Sequence, residues 1–551
     1  MALSPKAFDL LRVLVERHGR VVDKRELLDE LWPDTFVEEA NLSVQVATVR
    51  KALGREGESF IETIAKCGYR FVAPVEDVGP TSASSVPDTF RLLVLPLRTL
   101  SSSPETTFLS FSLPDAIAGS LAELPWLVVR APLTVQAAAS GAAAEVIAGS
   151  SRVDAVLEGT LAEGTAGTQV RMNLVEMPGG TVLFSEEFTV RVSELFDLQA
   201  RMAREVAKRL APRAVPDAGC VRADQAVPST PSAYVLYLRA NHLAYETSQW
   251  PKARELYEAA LREDPHYAPA WARLARCHRV IGKFAASPDE TRQSFARAED
   301  AFRRALALDP TLSLAHSLYA QLEVDLGRAE QAMVRLVRQA RERPQAAELF
   351  AALVHALRFC GLLDWSVAAH LRARAIDPTL PTSVHHTWWM KGEYERALSE
   401  TYGDIGYMPG VALAALGRDR DAIAALRWRE REAADSRAGS YIASLRALLE
   451  RDREQSLRAL DHASALQVDP EAIYYLARTY ARLGCAQRAL REMTRVIDGG
   501  FFCHETFARD SWLAGLRGDQ GFEALLARAR TASARAADAF ACAGGRDILQ
   551  L

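Results

Sequence analysis

Between Asn41 and Val72 the sequence gathers polar and basic side chains at the spacing of a binding surface. The run NLSVQVATVRKALG carries Leu42, Val46, Val49 and Leu53 at three- and four-residue steps, which makes one apolar stripe of an amphipathic helix. With that stripe turned inward, Gln45, Thr48 and Lys51 are predicted to face out. Arg50, Lys51 and Arg55 stand in the same stretch with no acidic residue from Leu42 to Arg55. Uncompensated cations beside hydrogen-bonding tips suit a helix pressed against phosphates. The next run, FIETIAKCGYRFV, is rich in β-formers over 60–64, turns over 65–68 and returns over 69–72, with Lys66 and Arg70 beside the turn. A helix followed by a basic hairpin describes a winged helix.

Two upstream helices must position this surface. Ser4 can cap a helix starting at Pro5, and Asp23 with Glu26 reads as a D-x-x-E capping pair for a helix ending near Trp32. Phe8, Leu11, Val15, Leu27, Leu28 and Leu31 are the predicted core, and PDTFVEEA is an acidic connector leading to Asn41.

These residues carry a resemblance. LSPKAFDLLRVLVERHGRVVDKRELLDELWPD, the reading helix and the GYRF wing together are similar to the effector domain of OmpR/PhoB-type transcription regulators. The resemblance implies a third helix in the DNA major groove and a wing at the minor groove or its phosphates. On that docking Ser43, Gln45 and Thr48 address base edges, while Arg50, Lys51, Lys66 and Arg70 hold phosphates, with an internal brace as the alternative role for Arg50. The resemblance also makes Asp34, Glu38 and Glu39 candidates for contact with RNA polymerase; a solvated loop is the plainer reading of the same residues. Members of the family usually carry a small antiparallel sheet before the first helix, and here the chain begins almost at that helix. The expectation is therefore a missing sheet, exposing apolar surface worth several kcal/mol at roughly 25 cal/mol per Å², unless chain upstream of Met1 or another segment covers it. Ala47 and Cys67 stand where relatives often have basic residues or glycine. Residues 1–73 hold 11 Lys/Arg against 12 Asp/Glu, whereas residues 42–73 hold five against three, so modest affinity per copy is expected.

At 551 residues, with 49% hydrophobic and 25% charged, the chain has the composition of a globular protein of about three or four domains. Its longest uncharged stretch, 131–144, is Ala/Ser/Gln-rich and shorter than the roughly 20 apolar residues of a membrane helix. The start MALSPKAFDLL has no basic leader, and seven scattered cysteines fit reduced thiols better than a disulfide framework. These features predict a cytoplasmic protein without a membrane. Membrane-bound CadC-like winged-helix regulators share the N-terminal position of this domain, and the absence of a span is where this chain departs from them.

Composition marks the further boundaries. The predicted winged helix occupies 1–75, and a Pro/Ser/Thr-rich linker covers 76–89. Over 90–212 the runs RLLVLPL and WLVVR read as buried strands flanking the helix DAIAGSLAEL. VDAVLEGTL, TQVRMNLVEM and TVLFSEEFTV form a meander, and a helix over 192–210 closes the unit. Strand, helix, strand and meander make a small α/β domain. VLPLRTLSSSPE, LPWLVVRAP, DAVLEGTL and LFDLQARMAREVAKRL resemble the TolB-N-like domain of bacterial regulators. Ser112, Leu113, Pro114 and Asp115 replace that family's usual Asp-Gly pair, so no ligand site is carried over.

After a second linker, 213–231, the chain repeats itself. Asp264-Pro265, Asp309-Pro310, Arg343-Pro344 and Asp377-Pro378 punctuate helical pairs, the last two intervals being 34 residues each. This is the tetratricopeptide period. Tyr237, Ala240, Ala253, Tyr257 and Ala260, then Ala298, Phe302 and Ala305, and later Ala477, Tyr480, Ala489 and Met493 fall at packing positions. The 45-residue step to Pro310 is read as an inserted loop near Phe284 to Asp289, and the pattern blurs between Leu380 and Ser440. Residues 232–535 thus read as an all-α solenoid of seven or eight units with a long concave groove for a protein or peptide, and 536–551 as a tail.

No nucleotide-binding or zinc motif is present, so neither a cofactor nor a metal is expected, and no catalytic set stands out. Cys503-His504 is the nearest approach to a nucleophile and base, read as a packed helix cap; His385-His386 with Trp388-Trp389 is read as core. The sequence points to a multidomain, non-enzymatic DNA-binding transcriptional regulator: winged helix, small α/β domain, tetratricopeptide solenoid. Its predicted partners are double-stranded DNA and a protein or peptide in the groove, RNA polymerase being one candidate and a second copy of the chain another. No receiver domain is read, so switching would come from partner or ligand binding. The rival is a tetratricopeptide scaffold with a vestigial winged helix.

Overall fold

The computed structural model describes residues 5–31, 39–53, 60–64, 67–73, 90–100, 104–122, 124, 126–130, 153–165, 167–191, 194–214, 230–244, 249–285, 287–378, 380–400, 407–432 and 437–550. They fall into two compact units, 1–85 and 86–551.

In the first unit, α1 (Pro5–Glu16), β1 (Val21–Asp23), α2 (Lys24–Leu31) and α3 (Glu39–Ala52) precede the hairpin β2 (Ile61–Ile64) and β3 (Gly68–Phe71). The order β1-β3-β2 makes β3 the central strand of an antiparallel sheet. The third strand, β1, escapes the sequence pattern because three residues are too few to show alternation. It explains Gly68: a side chain there would meet the Val22 carbonyl oxygen at 1.9 Å. On α3 the predicted stripe is the buried one, Leu42, Val46 and Val49 fully and Leu53 partly. On α1 the predicted face is one step off. Ala7, Leu10, Val13 and Leu14 form the buried side, Leu11 and Val15 are half-buried, and the side chain of Phe8 lies outside the described residues. Asp23 caps α2 by accepting from Arg25 N at 2.8 Å, while Glu26 departs from the predicted capping box and pairs with Arg17 at 2.9 Å. Ser4 and residues 32–38 lie outside the described residues.

In the second unit β4 (Phe90–Val94), β5 (Arg98–Thr99), α4 (Pro104–Leu121), β6 (Leu127–Arg130), β7 (Ala155–Gly164), β8 (Gly167–Glu176), β9 (Thr181–Val190) and α5 (Leu195–Ala214) form the α/β part. The sheet order is β6-β4-β7-β8-β9, parallel on the first side and antiparallel through the meander, with β5 beside β7. Val170, Met172 and Leu174 point inward and Gln169, Arg171 and Asn173 outward, the alternation of a half-buried strand. Pro114 sits inside α4; it has no N–H for the Ser110 carbonyl, which accepts from Leu97 N at 2.9 Å instead.

Among the described residues the solenoid holds eight helical pairs: α6 (Pro231–Leu243) with α7 (Trp250–Glu263), α8 (Ala268–Lys283) with α9 (Pro288–Leu308), α10 (Ser313–Asp325) with α11 (Ala329–Glu342), and α12 (Ala347–Phe359) with α13 (Leu363–Ile376). There follow α14 (Val384–Lys391) with α15 (Tyr394–Ser399), α16 (Met408–Ala415) with α17 (Asp419–Glu432), α18 (Arg437–Leu449) with α19 (Arg453–Leu466), and α20 (Pro470–Arg482) with α21 (Ala486–Asp498). The chain closes with α22 (His504–Arg509), a 3₁₀ helix (Ser511–Leu516), α23 (Gln520–Cys542) and α24 (Gly545–Leu549). All twelve residues predicted at packing positions are buried.

Three expectations are corrected, and the blurred stretch of the repeat is explained. The long step to Pro310 is spent on a longer helix: α9 has 21 residues, and only a short connector precedes it. The blurred region holds short helices of 8, 6 and 8 residues, too brief for the period to show. The predicted tail is helical, and Ala536, Phe540, Ala543 and Leu549 join the core. The α/β part and the solenoid are one body, because a single apolar cluster runs from Leu92 and Leu210 into Tyr234, Tyr257 and Cys277. Arg130 at the end of β6 is 1% exposed, 4.0 Å from Asp377 in the fourth helical pair.

The superhelix also returns on itself. Phe502 N donates to Phe359 O at 2.8 Å, Arg358 on α12 pairs with Glu471 on α20 at 2.9 Å, and Lys283 on α8 with Asp469 at 2.6 Å. The predicted open groove is therefore crossed by ion pairs. Among the described residues no helix is long and apolar enough to cross a membrane.

Candidate nucleic-acid interface

Helix α3 is built so that its far side cannot pack. With Leu42, Val46 and Val49 in the core, helical geometry turns Val44, Ala47 and their neighbours outward. Asn41, Ser43, Val44 and Ala47 are exposed, and Gln45 and Thr48 half-buried on the flanks. Val44 is 58% exposed, an apolar residue that sequence reading passes over and that helical phase alone would have found. An exposed methyl pair on a polar helix face can contact a thymine methyl, and Ser, Thr and Gln tips offer donors and acceptors to base edges. Thr48 Oγ1 donates back to the Val44 carbonyl at 2.8 Å, and Ser43 Oγ lies 3.4 Å from the Tyr69 hydroxyl, linking α3 to the wing.

The two described arginines of the predicted set have different duties. Arg50 turns toward the sheet: Nε and Nη2 donate to the Ile61 carbonyl, the former at 3.2 Å, and Nη2 donates to Thr63 Oγ1 at 2.9 Å. Of the two roles open to it, this contact set is that of the brace, tying α3 to β2. Arg70 lies on β3 directly opposite Glu62 on β2, and its Nη2 donates to Glu62 Oε2 at 2.6 Å. Both side chains are well exposed, so this ion pair is solvent-screened and weak. The structure brings Ser43 and Arg50 against the wing strands, turns Thr48 back onto its own helix, and leaves Arg70 paired on the sheet surface. Lys66, Asp34 and Glu38 lie outside the described residues, as do the side chains of Lys51 and Glu39 within α3.

The Cys503-His504 pair lies where α22 begins, as a packed helix start. Burial pushes the Cys503 thiol well up, and its Sγ donates to the Arg358 carbonyl at 3.0 Å. His385 and Trp389 are buried, and His386 lies 2.9 Å from Glu471.

Comparison with known proteins agrees with this geometry. Residues 1–71 match the family model "Transcriptional regulatory protein, C terminal", and residues 244–287 match "Tetratricopeptide repeat". The transcriptional regulator HilA of Salmonella typhi is 36% identical over 97 residues, which is 17% of this chain and 17% of HilA. The phosphate regulon transcriptional regulatory protein PhoB of Pseudomonas aeruginosa is 33% identical over 70 residues, 12% of this chain and 31% of PhoB. The transcriptional activator CadC of Escherichia coli is 30% identical over 78 residues, 14% of this chain and 15% of CadC. The chain thus spans well under a third of HilA and of CadC. That N-terminal domain belongs to the OmpR/PhoB-type transcriptional regulator family, here in one chain with tetratricopeptide repeats.

Proposed function

We propose that the chain is a cytoplasmic transcriptional regulator whose α3 reads promoter DNA and whose larger unit receives a partner or ligand. The observation that carries this reading is the outward face of α3, where Ser43, Val44, Gln45 and Thr48 stand clear of a core that consumes the opposite face. These residues meet base edges in the major groove; Lys51, Lys66 and Arg70 meet phosphates; Arg50 sets the angle between α3 and the wing. Asp34, Glu38 and Glu39 are assigned the contact with RNA polymerase. A family match over residues 1–71 speaks against a mere scaffold with a vestigial winged helix.

The reading is tested by selecting duplexes from random DNA with the full chain and titrating the selected site by fluorescence anisotropy. Gln45→Ala should relax preference at one base position, each mismatch there costing less than the usual about 1–3 kcal/mol. A chain that selects no site, or a Gln45→Ala and a Thr48→Ala variant that both leave the profile unchanged, would refute the docking.

A further inference from the structure

Where the α/β part meets the inner helices of the solenoid there is a cavity of about 770 Å³, lined from α4, α8, α10, α12 and the segments before α14 and α20. That volume is in the range of small-molecule sites and too small for a folded partner. The space is left open by residue choice: α4 offers it Ala116, Ala118 and Gly119, and a Cβ added at Gly119 meets nothing within 4 Å.

The lining includes the apolar side chains of Leu312, Leu314, Leu318 and Ala351 and the tyrosines Tyr237 and Tyr267. Cations also line it, and several are engaged by the protein itself. Arg279 donates to Asp325 at 2.6 Å and to Gln321 at 2.8 Å, Lys283 to Asp469 at 2.6 Å, and Arg358 to Glu471 at 2.9 and 3.1 Å. Two carboxylates are not so well served. Asp115 receives Asn241 Nδ2 and Arg273 Nη2, each at 3.5 Å and both on Oδ2. Glu348, in the first turn of α12, accepts from its own backbone N–H, with Arg343 a positive charge acting on it and Asp377 a negative one. Burial raises Glu348 from the usual carboxylate range, a cost that a cation beside it would remove.

We infer that this cavity binds an organic cation: an ammonium group, held by Glu348 or Asp115, on an apolar body seated against Leu312, Leu318 and the two tyrosines. Tyrosine faces accept a cation as well as an alkyl or aryl surface, so the apolar lining does not repel the charged end. The inference stands apart from the DNA reading and is tested by binding alone.

The experiment is calorimetric titration of the full chain with tryptamine and with indole-3-propionate, which share a ring and a comparable tether and differ in charge. Tryptamine should bind about tenfold or more tighter than the anion, the scale of one charge-assisted hydrogen bond. Glu348→Gln or Asp115→Asn should lower tryptamine affinity by a similar factor. Gly119→Leu, which fills the space with a better helix former, should abolish binding while the melting temperature holds. The inference is overturned if tryptamine does not bind, if the anion binds equally or better, if Gly119→Leu keeps full affinity in a folded chain, or if both carboxylate variants do.

Discussion

Two arginines of one small domain, Arg50 and Arg70, look alike in the sequence and part company in space. Arg50 spends its guanidinium on the Ile61 carbonyl and Thr63 hydroxyl, whereas among the described residues Arg70 pairs with an exposed neighbour, Glu62. Arg70→Ala should therefore weaken binding to every duplex and reduce the slope of log affinity against log salt by about one. Glu62→Gln should do the reverse, raising affinity a few-fold and steepening the slope, because it frees Arg70 in the unbound chain. Arg50→Ala should leave the slope unchanged and instead lower the melting temperature of the N-terminal unit, an outcome of about 1–3 kcal/mol for a carbonyl robbed of its charged donor. Anisotropy titrations at several salt concentrations with a parallel melt separate the three. Equal slope changes for Arg50→Ala and Arg70→Ala would return Arg50 to the phosphates.

At the scale of elements, legibility followed length and period. The α3 stripe, the β2–β3 hairpin and the Asp-Pro stops could be read because each repeats a signal over several residues, and Asp264 and Asp309 show why: each carboxylate accepts from the N–H two residues on, at 3.0 and 2.9 Å, turning the chain out of its helix. The α1 face was misread because Leu10, Leu11, Val13, Leu14 and Val15 are all apolar, and such a run gives no phase. Val44 was missed for the opposite reason, an apolar residue on an exposed face. The solenoid carries one further marker, a left-handed residue between the helices of a pair. It is Gly327 in the third pair and Gly361 in the fourth, but Arg451 in the seventh, at φ 65°. Gly361 has a second constraint, since a side chain would meet the Phe502 carbonyl at 2.6 Å, whereas Arg451 is exposed. Arg451→Gly should accordingly relieve a left-handed side-chain penalty and stabilise the chain by about 0.5–1 kcal/mol in chemical denaturation. A loss of stability would mean that the Arg451 side chain contributes more than its backbone costs.

The whole larger unit is locked by buried ion pairs that no local pattern announces, since Arg358 and Glu471 lie 113 residues apart. Burial alone would raise Glu471, but Arg358 and His386 over-compensate and hold it well below the usual range; burial is likewise outweighed at Asp325 by Arg279 and Lys283, and at Asp510 by Arg478. Their folded values lie below the unfolded ones, so their contribution is complete above about pH 4.3 and is lost as pH falls through the folded values. Glu348 has the opposite sign and weighs against the fold as it ionises. Denaturant midpoints should therefore fall steeply below about pH 4, and Glu471→Gln, which leaves Arg358 buried and unpaired, should cost about 3–5 kcal/mol at neutral pH. A midpoint insensitive to acid in the parent chain would contradict this account of the lock.

The central claim is that the N-terminal unit reads DNA for regulation, and capture of genomic DNA by the full chain tests it most directly. Fragments cross-linked to the protein and sequenced should concentrate at one or a few promoters, and the peaks should share a motif that disappears with Arg70→Ala and Gln45→Ala combined. Uniform recovery of the genome, with no promoter enriched over the double variant, would contradict it.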